Sequence, residues 1–221
     1  KSQYDKFFSP YIGNWGVNYT DGKTYYFKDY NDKKIRLFAL DFCLYGKDNE
    51  EQISWFGKSL DEAKEKDYSV LIACHSMPGV SRYERINCSF SDLDTVPELS
   101  LYGKTKEEMK EYQTVAENFR QEGGKFIAWI GGHCHFDFIG YSDEFPNQLM
   151  IFLDSCNRGH SENFSDMSRV DGEKSMDLAN ALVVDTDDNL LKIVRVGADL
   201  DRYMRKRDFL CINYMTKEIY R

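Results

Sequence analysis

Three short apolar runs constrain this chain more than anything else in it: YSVLIACHS (Tyr68 to Ser76), KFIAWI (Lys125 to Ile130) and QLMIFLDS (Gln148 to Ser155). Each is continuous rather than alternating, the pattern of a β-strand buried on both faces. Between and before them lie segments of helical period. DNEEQISWFGKSLDEAKEKD (Asp48 to Asp67) carries Ile53, Phe56, Leu60 and Ala63 at three- and four-residue spacing behind an acidic first turn, which predicts an amphipathic helix. TKEEMKEYQTVAENFRQEGG opens with a Thr105/Glu108 capping box, places Met109, Tyr112, Ala116 and Phe119 on one face, and stops at Gly123-Gly124. Apolar strands alternating with helices predict an α/β fold with a mixed sheet or sheets.

The flanks fit that frame. GKTYYFKDYNDKKIRLFALDFCLYG reads as two strands joined by the polar DYNDKK turn, with Lys34 to Cys43 the stronger strand. ANALVVDTDDNLLKIVRVG (Ala179 to Gly197) closes the pattern as a hairpin around an Asp-Asn turn. Met77 to about Gly103 reads as a long polar and aromatic loop. There is no internal repeat or low-complexity linker, so residues 1–221 are expected to form one unit.

Charge and cysteine usage narrow the function classes. The formal net charge is −8, which argues against a nucleic-acid backbone as main partner, since phosphate neutralisation needs clustered Lys and Arg. A small phosphorylated substrate held by metal ions stays compatible, because the cations would be the largest local charges. No apolar stretch approaches a membrane span. The opening KSQYDKFFSPYIGNW has neither an initiator Met nor a signal-peptide pattern, so the chain is expected to come from inside a longer protein. Cys43, Cys74, Cys88, Cys134, Cys156 and Cys211 show no C-x-x-C spacing and sit partly in apolar runs, as buried thiols do.

The four histidines carry the chemistry. His75 ends the first apolar run, and His133 and His135 follow FIAWIGG, so three of the four fall at the carboxyl ends of predicted buried strands. Ligands bind at that edge of α/β sheets. A single strand-end histidine is more often hydrogen-bonded filler, but three collecting at two neighbouring ends favour metal ligation. Residues at i and i+2 of an extended chain point to one side. His133 and His135 are thus expected to face together, with Cys134 turned away and Cys74 turned away from His75. That favours imidazoles over a mixed Cys/His site. Gly131-Gly132 permits close backbone approach there.

GGHCHFD after an apolar strand resembles the Gly-His-x-His block of the calcineurin-like metallophosphoesterases. VLIACHSMPG resembles that family's preceding block, and RLFALDF, the acidic-start helix with Trp55 and the closing hairpin fall in the family's order. The resemblance implies that residues 1–221 are the carboxyl-terminal portion of a four-layer α/β/β/α sandwich with mixed β-sheets. It further implies two divalent metal ions (Mn, Fe or Zn), with His75 and His133 on one and His135 on the other. The family's Asp-x-His, Gly-Asp and Gly-Asn-His blocks do not occur in this chain, and Gly13-Asn14 is followed by Trp15. The intact protein is therefore expected to hydrolyse a phosphomonoester or phosphodiester by metal-hydroxide attack, with the 221 residues inactive alone. A non-catalytic phosphoesterase-like module is the first alternative. A mononuclear metal hydrolase using His75, His133, His135 and a carboxylate such as Asp41 is the second. Unpaired strand edges would favour a homodimer.

Other residues have two readings each. Asn157, Arg158 and His160 follow the third apolar run and could reach a phosphorylated substrate, Arg158 by bidentate contact, or could form a plain surface loop. Arg82, Tyr83 and Arg85 read as a solvated loop face. Asp41 and Asp137 are candidate partners for histidine N–H groups, or ordinary strand-end carboxylates. DTDDN (Asp185 to Asn189) imitates an EF-hand start, but Leu190 stands at its glycine position and Val196 at its glutamate, so a hairpin turn is expected. DRYMRKRD reads as an exposed connection. Neither Ser76 nor Ser155 sits in a nucleophile elbow.

Overall fold

The computed structural model describes residues 16–19, 22–42, 44, 46–75, 83–85, 106–132, 138–142, 144–153, 178–197 and 209–220. It is an α/β structure with a mixed sheet. The strands are β1 (Val17–Tyr19), β2 (Tyr26–Tyr30), β3 (Ile35–Ala39), β4 (Ser69–Ala73), β5 (Tyr83–Arg85), β6 (Lys125–Gly131), β7 (Phe138–Ser142), β8 (Leu149–Phe152), β9 (Leu178–Asp185), β10 (Leu190–Gly197), β11 (Phe209–Asn213) and β12 (Ile219–Tyr220). Helix α1 spans Gly46–Glu65 and helix α2 spans Lys106–Gln121.

Eight strands form one sheet in the order β1-β2-β3-β4-β6-β8-β7-β5, and four form a second, β12-β11-β10-β9. In the larger sheet β3, β4, β6 and β8 run parallel, with antiparallel strands outside them. The parallel centre coincides with the continuous apolar runs, as two-sided burial requires. On one face Phe38, Val70, Ile72, Phe126, Trp129 and Met150 pack against Phe56, Leu60 and Ala63 of α1 and Tyr112, Ala116 and Phe119 of α2. On the other, Leu71, Ile127, Ala128, Leu149 and Ile151 meet Leu191, Ile193, Leu210 and Ile212 of the second sheet. Burying each Leu, Ile or Phe here contributes about 1.5–3 kcal/mol.

One irregularity interrupts the parallel centre. Val70 pairs with Phe126 but Leu71 with Ala128, so Ile127 is an extra residue in β6. Ile127 and its neighbour Ala128 both pack toward the second sheet, the two-against-one arrangement of a β-bulge.

The amino ends of the parallel strands are knit by polar contacts. Arg36, with no exposed surface, grips Asp29 with two bonds of 2.7 and 2.8 Å, donates 2.6 Å to the Ser59 carbonyl, and lies 3.6 Å over the Phe27 ring. Asp67 pairs with Lys125 at 2.6 Å and Lys34 at 3.4 Å. The Thr186 hydroxyl donates to the Lys33 carbonyl at 3.1 Å, and the Lys217 ammonium to the Pro146 carbonyl at 2.7 Å, so turns of the second sheet are tied to turns of the first. Helix α2 ends as expected at Gly123, whose φ is +91°. Gly124 N–H reaches the Phe119 carbonyl at 2.9 Å and Gly123 N–H the Arg120 carbonyl at 3.1 Å, a Schellman closure.

Several elements differ from the sequence expectation. The strand expected over Lys34 to Cys43 is shorter, though Leu40 N–H still bonds the Ala73 carbonyl at 2.9 Å. Within the expected Met77–Gly103 loop, Tyr83–Arg85 forms β5 by pairing with β7. The closing hairpin is extended by β11 and β12 into a four-stranded sheet. DTDDN is a hairpin turn: Asp185 Oδ1 accepts from the Asp187 and Asp188 amides at 3.0 and 3.2 Å, and Asn189 takes φ +57°.

Candidate functional site

The registers of four neighbouring strands bring one row of residues to the carboxyl edge of the larger sheet. Ala39 pairs with Ala73, so Asp41 and His75 both stand two residues beyond the same pair. Tyr26 pairs with Ala39 in antiparallel sense, which places Thr24 level with Asp41. Ala73 pairs with Ile130, and Gly132 N–H donates to the His75 carbonyl at 3.0 Å. Leu153 N–H bonds the Gly131 carbonyl at 2.9 Å. The row therefore runs Thr24, Asp41, His75, Gly132, Leu153, with about 5 Å between neighbouring backbones.

Alternation decides which side these residues take. Leu40 and Phe42 lie in the helix-side core, and Cys74 packs against it. Asp41 and His75 consequently leave toward the face of the second sheet. Gly132 stands beside His75, and among the described residues a Cβ built on it meets the Leu153 carbonyl oxygen, at 4.0 Å. His75 is solvent-exposed and Asp41 half-buried. Among the described residues the row thus carries an imidazole and a carboxylate on neighbouring strand ends, with a notch at Gly132 where a side chain is missing.

Asp41 is held more tightly than an ordinary strand end. Its carboxylate accepts a short hydrogen bond from the Thr24 hydroxyl. Its N–H donates to Gln52 Oε1 at 2.8 Å, and its carbonyl accepts from Gln52 Nε2 at 2.9 Å. Gln52 is fully buried on α1. Its second amide hydrogen reaches Tyr112 Oη on α2 at 2.5 Å, and Tyr112 donates onward to Asn49 Oδ1 at 2.7 Å. Burial pushes the Tyr112 phenol well above its ordinary value, so it stays a neutral donor.

Cys74 behaves as expected. Its thiol donates to the Ile130 carbonyl at 3.8 Å, and burial raises its pKa far from thiolate formation. It packs against the helix-side core. Cys211 is a buried free thiol. An exposed imidazole, an anchored carboxylate and a notch without a Cβ suit a hard or borderline divalent cation. Among the described residues no three His, Cys, Asp or Glu side chains converge. The expected further ligands His133 and His135, the candidate partner Asp137, and Asn157, Arg158 and His160 lie outside the described residues, as do Ser76 and Ser155.

Sequence reasoning missed the buried amides beneath this edge. The inward face of α1 is Asn49, Gln52, Phe56, Ser59, Leu60 and Ala63, whereas only its apolar members were legible as such. The available signal was spacing: 49, 52, 56, 59 and 63 keep the helical period once polar residues are admitted. No protein-family model and no curated protein matches the chain. No helix is long and apolar enough to cross a membrane among the described residues.

Proposed function

We propose that this chain is the carboxyl-terminal portion of a calcineurin-like metallophosphoesterase, with His75, His133 and His135 as metal ligands and a phosphorylated compound as substrate. The observation that carries the reading is the Gly132-to-His75 backbone bond, which seats the start of the Gly-His-Cys-His block directly beside the His75 strand end. The helix, sheet, sheet succession supports three layers of the four-layer sandwich. Divalent cations bound there would supply Lewis acidity and lower the pKa of water for attack on phosphorus. The chain's own residues bind and orient: His75 offers an imidazole, and Asp41 fixes an imidazole N–H or polarises a ligand at the same level. Arg158, with Asn157 and His160, would hold phosphoryl oxygens, and Asp137 would brace an imidazole.

The absent Asp-x-His, Gly-Asp and Gly-Asn-His blocks leave both metals without the bridging carboxylate. The 221-residue chain therefore hydrolyses neither p-nitrophenyl phosphate nor its bis-ester, while binding of Zn²⁺ or Mn²⁺ is weak and lost in His75→Ala. Robust chelator-insensitive hydrolysis by this chain would falsify the reading. A mononuclear hydrolase is a second reading, favoured by Asp41 standing level with His75; one tightly bound metal per chain, with activity, selects it. Pairing of two copies through outer strand edges is expected to appear as a dimer in sedimentation, and a strict monomer contradicts it.

A further inference from the structure

We propose that Gln52, although it lies in the core of α1, is a positioning residue for the carboxyl edge: it fixes the Asp41 carboxylate beside His75 by holding both the N–H and the carbonyl of residue 41. The inference rests on the reading of that edge as a metal site.

Asp41 lies beyond the last ladder pair of β3, where a backbone N–H and C=O would ordinarily turn to water. A strand end left to water rotates about its φ and ψ, and the direction of its side chain rotates with it. Gln52 removes that freedom with bonds of 2.8 and 2.9 Å to the two polar groups of one residue. A buried primary amide is costly unless satisfied, and this one is spent entirely on Asp41 and on Tyr112. Packing alone would be served as well by Leu or Met at position 52, and neither would reach the strand end. From the opposite side the Thr24 hydroxyl holds the carboxylate itself. Asp41 is thus held at three points from two elements, with Tyr112 and Asn49 fixing the rotamer of the clamp. Such support separates a ligand-orienting carboxylate from a solvated strand end.

The test compares wild type with Gln52→Leu and Tyr112→Phe in the full 221-residue chain, each first checked for cooperative unfolding. Amide hydrogen exchange at Asp41 and the response of the His75 imidazole resonances to Mn²⁺ or Zn²⁺ are the readouts. In Gln52→Leu the Asp41 amide should exchange at least about tenfold faster, while the Leu40 amide, bonded to Ala73, keeps its protection. Metal affinity at His75 should fall about tenfold. Tyr112→Phe leaves Asp41 untouched and should give a smaller acceleration, about fivefold, so it decides the matter if Gln52→Leu does not fold. Unchanged Asp41 exchange in either folded variant, or equal acceleration at Leu40 and Asp41, overturns the proposal. If the wild-type His75 resonances ignore both metals, the metal-site reading fails separately, and the exchange comparison still decides the role of Gln52.

Discussion

Strand β6 has a glycine at each end, and the two do opposite things. Gly124, at the amino end, closes α2 against the Phe119 ring so tightly that any Cβ there would overlap the ring atoms. Gly132, at the carboxyl end, would bring a Cβ no closer than 4.0 Å to a carbonyl among the described residues. Glycine at the first is demanded by packing. At the second the packing of the described residues does not demand it, and the missing side chain lies beside His75. The same division holds across the sheet: amino ends are locked by ion pairs and turn-to-turn bonds, whereas the described carboxyl ends present polar side chains over a hidden amide clamp.

Substitutions should separate the two ends by what they cost. The largest loss is expected at Arg36, whose removal leaves Asp29 without its bidentate partner. Arg36→Met should lower unfolding stability by about 3 kcal/mol in denaturant titration. Much of that should return in the double variant with Asp29→Leu, and no recovery would mean the cost lies in packing. Next, Gly124→Ala should cost about 1–3 kcal/mol through overpacking, against about 0.5 kcal/mol or less for Gly132→Ala. Equal costs would erase the distinction between the ends.

A smaller effect is expected at Asp67, whose pKa is lowered first by the hydrogen bond from Lys125 and further by Lys34. Because the folded value lies below the unfolded one, its contribution is whole at neutral pH and disappears as pH falls through the carboxylate range, below about pH 4. The pair is solvent-screened and contributes about 1 kcal/mol at most. Asp67→Asn should therefore differ from wild type at pH 7 in low salt, with the difference shrinking as pH falls below about 4 or as salt rises. Smallest for stability is His75→Ala, within about 0.5 kcal/mol since the side chain is exposed, although it should abolish the metal binding proposed above. A large loss of stability there would make His75 a structural residue.

The parallel centre and both helices were legible because continuous apolar runs and helical spacing follow from burial geometry: β4 and β8 fall inside two of the runs, and β6 outlasts the third by one residue. The short strands were not. Tyr83–Arg85 and Ile219–Tyr220 have three and two residues, too few to show a period. They are strands because β7 and β11 supply partners, a contact distant in sequence. His75 was placed at the correct edge from its position after an apolar run. The anchoring of Asp41 was not legible, because a buried Gln looks the same in sequence as an exposed one until its neighbours are known.

The extra residue at Ile127 has a consequence at a distance. Counting outward from the Val70–Phe126 pair with Ile127 in regular register, position 131 would arrive level with His75 instead of position 132. Five residues upstream of the notch, a single insertion thus acts like a vernier, shifting the whole distal part of β6 by one step against β4. Ironing out the bulge, so that Ile127 itself paired with Leu71, would preserve every residue of the motif while delivering it out of phase. A chain can therefore keep its motif intact and still misalign its site through the arithmetic of one strand.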